Sequence, residues 1–258
     1  MLFDNLELLS IQNQTTNFPK HFHETFCISL IYEGIEQISF DNQILFSERG
    51  SISITNPFEI HSNPLIDSNN LLSFDTIYLS SDLMKYLHNG KSIRFINRKI
   101  NCEKATQLFI GLKKAIDSKN PRVIKFSLQQ FVNALKLYSQ ENEKEYAEKN
   151  ISSFIEINRY IENNIYNKFS LDELSKIANI NKFGFVKKFK ASTGMTPMNY
   201  ILMKKIFSCK KVIDPYAELT EIAYQYNFTD LAHFSKTFKR YVGLSPKCYQ
   251  VNLLEKSI

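Results

Sequence analysis

The sequence predicts an α+β protein with two domains: a small antiparallel β-barrel with flanking helices, then an all-α domain. Three observations predict it. Residues 18–80 read as short strands with close turns, the pattern of an antiparallel barrel or sandwich. From Ser152 onward every periodic stretch is helical. That helical part also writes one phrase twice, "NINKFGFVKKFKASTGMTP" from Asn179 to Pro197 and "NFTDLAHFSKTFKRYVGLSP" from Asn227 to Pro246. The expected domains are residues 1–140 and 151–258, with the polar run "ENEKEYAEKN" (141–150) as a linker.

In the first part, "FCISLIYEG" is a continuous apolar run ending at Gly34, and "EQISF" and "SISIT" alternate with period two. Turn residues at 41–43, 48–50 and 55–57 separate the strands. The helical period begins near Ser81. Asn101 is placed to cap a helix running to Asp117, with Leu108, Leu112 and Ile116 on one face. Pro121 opens a second helix, on which Val123, Phe126, Phe131, Leu135 and Tyr138 recur to about Gln140.

Composition narrows the function. The 258 residues are 43% hydrophobic and 22% charged, as in soluble globular proteins. The start, "MLFDNLELLS", carries Asp4 and Glu7 where a secretion signal needs basic residues. No run is long and apolar enough to span a bilayer, so a cytoplasmic protein without membrane contact is expected. Cys27, Cys102, Cys209 and Cys248 have no zinc-ligand spacing and read as reduced thiols. The net charge of +6 is uneven: residues 1–150 hold 16 basic and 17 acidic side chains, residues 151–258 hold 16 and 9. Basic charge gathered in one half suggests a polyanionic partner for that half.

Each copy of the repeated phrase has the same physical plan. In the first, Ser170 and Glu173 form a capping-box signature ahead of Leu171, Leu174, Ile177 and Ala178. Asn179 makes the turn, Asn181 caps the next helix, and Phe185 and Phe189 face inward while Lys182, Lys187, Lys188 and Lys190 supply charge. In the second, Leu219, Ile222 and Ala223 form the support helix, Asn227 turns, Thr229 caps, and Phe234 and Phe238 point to the core beside Lys236, Lys239 and Arg240. Gly194 and Gly243 end the two helices, and Pro197 and Pro246 open the next ones. A support helix, a tight turn and a basic second helix make a helix-turn-helix, whose second helix fits the DNA major groove.

On these residues the second half resembles the DNA-binding domain of AraC/XylS-family transcription regulators, with "IAYQYNFTDLAHFSKTFKRYVGLSP" close to the family signature. The resemblance implies seven helices, two helix-turn-helix units and one joining helix, here about Pro197 to Ile213 and roughly 25 Å long. Asn stands for the usual Gly at both turns, and Lys205 and Lys236 stand where Arg is usual, in a chain with 26 Lys and 6 Arg. Lys188 sits at a commonly apolar position. Carried over by position, base contacts fall to Lys182, Phe183, Val186 and Lys187 in the first unit, and to Leu231, Ala232, His233 and Lys236 in the second. Phosphate contacts fall to Asn181, Lys190, Thr229, Lys239 and Arg240.

The first half, with "HFHETFCISLIYEG" and "NPFEIH", resembles the cupin-type sensor domain of many members of that family. Metal-binding cupins add a Glu three to five residues after a His-x-His pair. Here Glu24 directly follows His23, so no metal and no cofactor are expected. The expected effector pocket is His23, Tyr32, Phe58 and His61, taking a small molecule, with a regulatory protein as the other candidate effector. The helices at 102–117 and 122–140 match the region where such sensors form homodimers. The resulting expectation is a transcription regulator, an activator working with RNA polymerase on double-stranded DNA, and not an enzyme. The alternative is a metal-dependent cupin enzyme using His21, His23 and His61, with an accessory helical domain.

Overall fold

The computed structural model describes residues 6–66, 71–142 and 154–257. The chain divides into two compact units, one of residues 1–15 and 22–147, the other of residues 16–21 and 148–258. Most of the expected linker therefore lies outside the described residues.

The first unit is built on two larger antiparallel sheets and a small two-stranded one. Its strands are β1 (Leu6–Ile11), β3 (Thr25–Glu33), β4 (Ile35–Phe40), β5 (Ile44–Glu48), β6 (Ile52–Thr55), β7 (His61–Asn63), β8 (Ser73–Ser80), β9 (Ile93–Phe95), β10 (Lys99–Ile100) and β11 (Ser139–Glu141). The short strand β2 (Phe18–His21) groups with the second unit. One sheet runs β1-β8-β3-β6-β10, and β7, β4 and β5 adjoin in a second. Gly34, at φ 79°, makes the tight reversal from β3 to β4 that a residue with a Cβ resists.

Register decides what each face carries. Phe26, Ile28 and Leu30 on β3, Ile52 and Ile54 on β6, and Ile77 and Leu79 on β8 share one core with the helices α1 (Ser81–Leu87), α2 (Glu103–Asp117) and α3 (Pro121–Leu135). Phe109 of α2 meets Phe131 of α3 edge to face at 5.6 Å. The helices differ from expectation in detail. Cys102, not Asn101, precedes α2 as its cap residue, and the buried stripe is Ala105, Phe109, Leu112 and Ala115, leaving Leu108 and Ile116 at its margin. Asn120 caps α3 through the Arg122 and Val123 amides. That helix stops at Leu135, after which a 3-10 turn and β11 replace the helix expected to Gln140. Val123 and Phe126 are 44% and 66% exposed rather than core, because α3 reaches the sheet only from Leu128 onward.

The second unit holds seven helices among the described residues: α4 (Ile155–Asn163), α5 (Leu171–Ile177), α6 (Lys182–Thr193), α7 (Pro197–Val212), α8 (Leu219–Gln225), α9 (Leu231–Val242) and α10 (Pro246–Ser257). Phe185 and Phe189 of α6 are fully buried, as are Phe234 and Phe238 of α9, in the inward pairs that i, i+4 spacing predicts. Gly194 and Gly243 end α6 and α9 in the left-handed conformation, at φ 66° and 89°.

Candidate nucleic-acid interface and barrel interior

The two helix-turn-helix units are built alike down to their backbone bonds. After α5, the Asn179 N–H donates to the Lys176 carbonyl and the Ile180 N–H to the Ser175 carbonyl, both at 3.0 Å. After α8, the Asn227 N–H donates to Tyr224 and the Phe228 N–H to Ala223, both at 2.9 Å. Each is a Schellman closure, which needs a left-handed residue, and Asn179 and Asn227 supply it at φ 49° and 58°. Asparagine in place of glycine has a use at the second turn: the Asn227 side-chain amide donates to the Tyr166 carbonyl. Asn227→Ala is therefore expected to lower the melting temperature, losing that bond and adding about 1 kcal/mol of left-handed strain. A calorimetric scan beside Asn227→Gly, which loses the bond without the strain, separates the two terms.

Helix starts follow local side-chain chemistry. Ser170 accepts from the Glu173 amide at 3.1 Å, but Glu173 does not reach back to complete the box; its carboxylate accepts from the Tyr160 hydroxyl. Asn181 accepts from the Gly184 amide at 2.8 Å. In the second unit the cap is Asp230, not Thr229: its carboxylate accepts from the His233 amide at 2.6 Å, while the Thr229 hydroxyl is bonded to His233 Nδ1 at 2.8 Å. A carboxylate suits a helix N-terminus.

Beyond each cap, the helix turns its first residues outward. Phe183 is 81% exposed and Leu231 39%. Lys182, Lys187, Ala232, His233 and Lys236 are exposed, and Val186 is half-buried. Lys190 and Arg240 are exposed and Lys239 is half-buried. Lys182 is held by Asp172 of the support helix at 2.6 Å. Lys188 is exposed and lines a groove of about 540 Å³ with Phe154, Ile177 and Ile180.

The joining helix α7 binds its neighbours through Tyr200, Lys204 and Lys205, of which the sequence singles out only Lys205, as a departure from Arg. The Tyr200 hydroxyl donates to Asn158 Oδ1 at 2.6 Å, and Lys204 pairs with Glu162 at 3.1 Å, both on α4. Tyr200 also packs edge-on against Phe189 of α6 at 5.4 Å. Toward the second unit, Lys205 Nζ donates to the carbonyls of Asn167, 2.8 Å away, and Tyr226, 2.6 Å away. Burial lowers this ammonium from its ordinary value to about 8. Two adjacent lysines inside an otherwise apolar helix face are the signal that marks such a site.

In the first unit, the sheet face turned away from the helices is buried and largely polar. Ser29 pairs across the ladder with Ser53 and Thr76, and Cys27 with Thr55 and Tyr78. Opposite pairs share a face, so these six form one patch. Glu36 of β4 pairs with Ser47 of β5. The two sheets meet where Ser53 Oγ donates to Glu36 Oε2 at 2.6 Å; within the second sheet, Asn63 Nδ2 donates to Glu36 Oε1 at 3.0 Å. Burial raises the Glu36 carboxyl to about 7, against the opposing pull of those two bonds.

The expected pocket residues divide. His23 lies 5.6 Å from His61 and 5.4 Å from Tyr78, ring to ring, on this inner side. Tyr32 is on the helix side, where its hydroxyl donates to Asp75 at 2.7 Å; burial and Asp75 hold that phenol above its ordinary range. Phe58 stacks on Phe22 at 5.8 Å. Glu24 is exposed. Burial lowers His21 to about 4 although its ring is bonded to the Pro19 carbonyl.

Residues 5–146 match the AraC-like ligand binding domain, and residues 174–252 match a helix-turn-helix domain. The chain belongs to the AraC/XylS family of transcription regulators. Among the curated relatives of this AraC-family chain, the probable transcriptional regulator LumQ of Photobacterium leiognathi is 35% identical over 95 residues, covering 36% of this chain and 38% of LumQ. That match thus spans little more than a third of LumQ. The transcriptional activator RhaS of Enterobacter sp. strain 638 is 20% identical over 242 residues, or 89% of this chain and 86% of RhaS. Among solved structures, an apo ToxT variant from Vibrio cholerae strain SCE256 superposes with a TM-score of 0.61 at 16% identity, covering 96% of this chain and 98% of that one. The likeness to ToxT is one of fold.

Proposed function

We propose that the chain is a sequence-specific DNA-binding regulator that activates transcription, its helical unit reading two successive major-groove segments and its barrel unit sensing an effector. The observation that carries this reading is the pair of matched helix-turn-helix units packed on α7, with Phe183, Lys187, Leu231 and Lys236 turned to solvent. At 16 residues α7 is about 24 Å long, a spacer suited to holding two reading helices about one DNA turn, ~34 Å, apart.

In this reading Lys182, Phe183, Val186, Lys187, Leu231, Ala232, His233 and Lys236 meet bases. Asn181, Lys190, Lys239 and Arg240 meet phosphates. Thr229 drops out of the phosphate set: its hydroxyl serves His233, and the adjoining Asp230 carboxylate repels an anion. RNA polymerase is the protein partner of an activator. The exposed Val123 and Phe126 of α3 support a homodimer through residues 102–117 and 122–140. The effector is a small molecule or a regulatory protein, and effector binding shifts the population of DNA-competent states. The site of action is the cytoplasm; no described helix is long and apolar enough to cross a membrane. No enzymatic step is assigned.

The test uses the full chain and an operator selected from a random DNA pool. Lys187→Ala and Lys236→Ala are each expected to weaken binding and to relax the base preference at the position they meet, whereas Lys190→Ala is expected to reduce the log–log salt slope by about 1. Unchanged affinity and base preference in both Lys187→Ala and Lys236→Ala would remove the reading, and a slope near zero in the parent would remove DNA binding itself.

A further inference from the structure

The barrel interior has a chemistry that its fold does not require. In a two-sheet unit the cheapest filling between the sheets is apolar. Here Glu36, Ser47, Ser53 and Asn63 converge from four different strands, β4, β5, β6 and β7, and each is buried. Ile38 continues the same face of β4 beside these polar groups. Polar groups that converge from several strands in a buried interior are what fixes the orientation of a small molecule in its site.

Two further facts set the sign of the ligand. First, the Ser47 and Thr55 hydroxyls are buried and have no hydrogen-bond partner among the described residues. Second, Glu36 is met only by the Ser53 and Asn63 donors, and no cation of the described residues pairs with it. A carboxylate has about four acceptor positions and each hydroxyl adds two, so the patch as a whole presents more acceptors than donors.

We infer that the barrel interior binds a small organic ammonium compound, its charge on the Glu36 carboxylate and its remaining donors on the Ser47 and Thr55 hydroxyls. This inference rests on the barrel unit being the effector sensor and specifies the charge of what it senses. A neutral polyol leaves the carboxylate without a counter-charge, and an organic anion is repelled by it.

Three probes of similar size and different charge test it on the full chain at pH 8, above the value to which burial raises the Glu36 carboxyl: ethanolamine, ethylene glycol and glycolate. Ethanolamine is expected to raise the melting temperature saturably, with the other two giving no shift. Glu36→Gln, which keeps the side chain's shape, is expected to weaken ethanolamine binding at least about tenfold by titration calorimetry. Ser47→Ala, which leaves the carboxylate in place, is expected to weaken it less. No response to ethanolamine, a stronger response to glycol or glycolate, or an unchanged ethanolamine response in Glu36→Gln overturns the inference. A glycol or glycolate response that also alters operator binding leaves the sensing role standing while the charge assignment falls. Ethanolamine binding that is lost in Glu36→Gln but leaves operator affinity unchanged supports the site and removes the sensing role.

Discussion

Lys205→Ala is expected to destabilise the helical unit by about 3 kcal/mol and to lower operator affinity with it. Lys205 is 5% exposed, and its ammonium donates to two carbonyls far apart in sequence, Asn167 and Tyr226. Asn167 lies in the loop before α5, and Tyr226 is the C-cap of α8, so one side chain ties the entrance of the first helix-turn-helix to the support helix of the second. A positive charge at the C-terminal end of α8 also meets the favourable end of the helix dipole. Truncation strands two acceptors, each costing about 1–3 kcal/mol when left unmet, and removes the packing of the stem. Relief of the ammonium's desolvation offsets part of that. Lys205→Met keeps the stem and removes the donors, so it is expected to retain most of the loss. Denaturant titrations of both variants check this, and a methionine variant as stable as the parent would show that packing, not bonding, joins the units there. Operator affinity is expected to fall because the two reading helices lose their fixed relation.

The helical half was readable because its signals are local. Phe185/Phe189 and Phe234/Phe238 lie one helical turn apart, and Asn179, Asn181, Gly194 and Gly243 take the turn and cap roles that their backbone preferences predict. The failures there are competitions between adjacent or distant groups. Thr229 and Asp230 are both good caps, and only the backbone decides that Asp230 is the one. Glu173 fits a capping box until Tyr160, thirteen residues earlier, takes its carboxylate. Strands β9, β10 and β11, of two or three residues, are too short to show a period. The roles of Lys204 and Lys205 depend on partners about 20 to 40 residues away.

The barrel was harder to read for a different reason. Alternation in "SISIT" identifies a strand with two unlike faces, and ordinarily the polar face meets water. In β6 the Ile52 and Ile54 face meets the helices, while Ser53 and Thr55 face the other sheet, and all four residues are buried. Sequence alternation cannot separate a polar face in water from a polar face in a second buried layer. Tyr32 shows the cost: in the sequence an aromatic residue at this point of the run reads as a pocket residue, yet it packs on the helix side with Asp75 and Lys113.

Glu36→Gln is expected to stabilise the barrel unit at pH 8 by up to about 3.5 kcal/mol and to have a much smaller effect near pH 4.5. Burial raises the folded carboxyl from 4.5 to about 7. Between those values the folded chain holds a proton that the unfolded chain has released, so stability falls as pH rises through that window and stays lower above it. That rise, at ~1.4 kcal/mol per pH unit, sets the upper bound. The amide cannot ionise and escapes the penalty, keeping one oxygen to accept from Ser53 or Asn63. His21 acts with the opposite sign: its folded value of about 4, below the ordinary 6.5, makes stability rise with pH between those values. His21 belongs to the second unit, so its slope runs against that of Glu36 between about pH 4.5 and 6.5 only in a measurement on the whole chain. The difference between variant and parent isolates Glu36, because the His21 contribution is common to the two. Urea unfolding followed by circular dichroism at pH 5, 6.5 and 8 measures it. A difference that does not grow with pH would mean that Glu36 is already ionised in the folded barrel at pH 5, stabilised by a counter-charge rather than held neutral by burial.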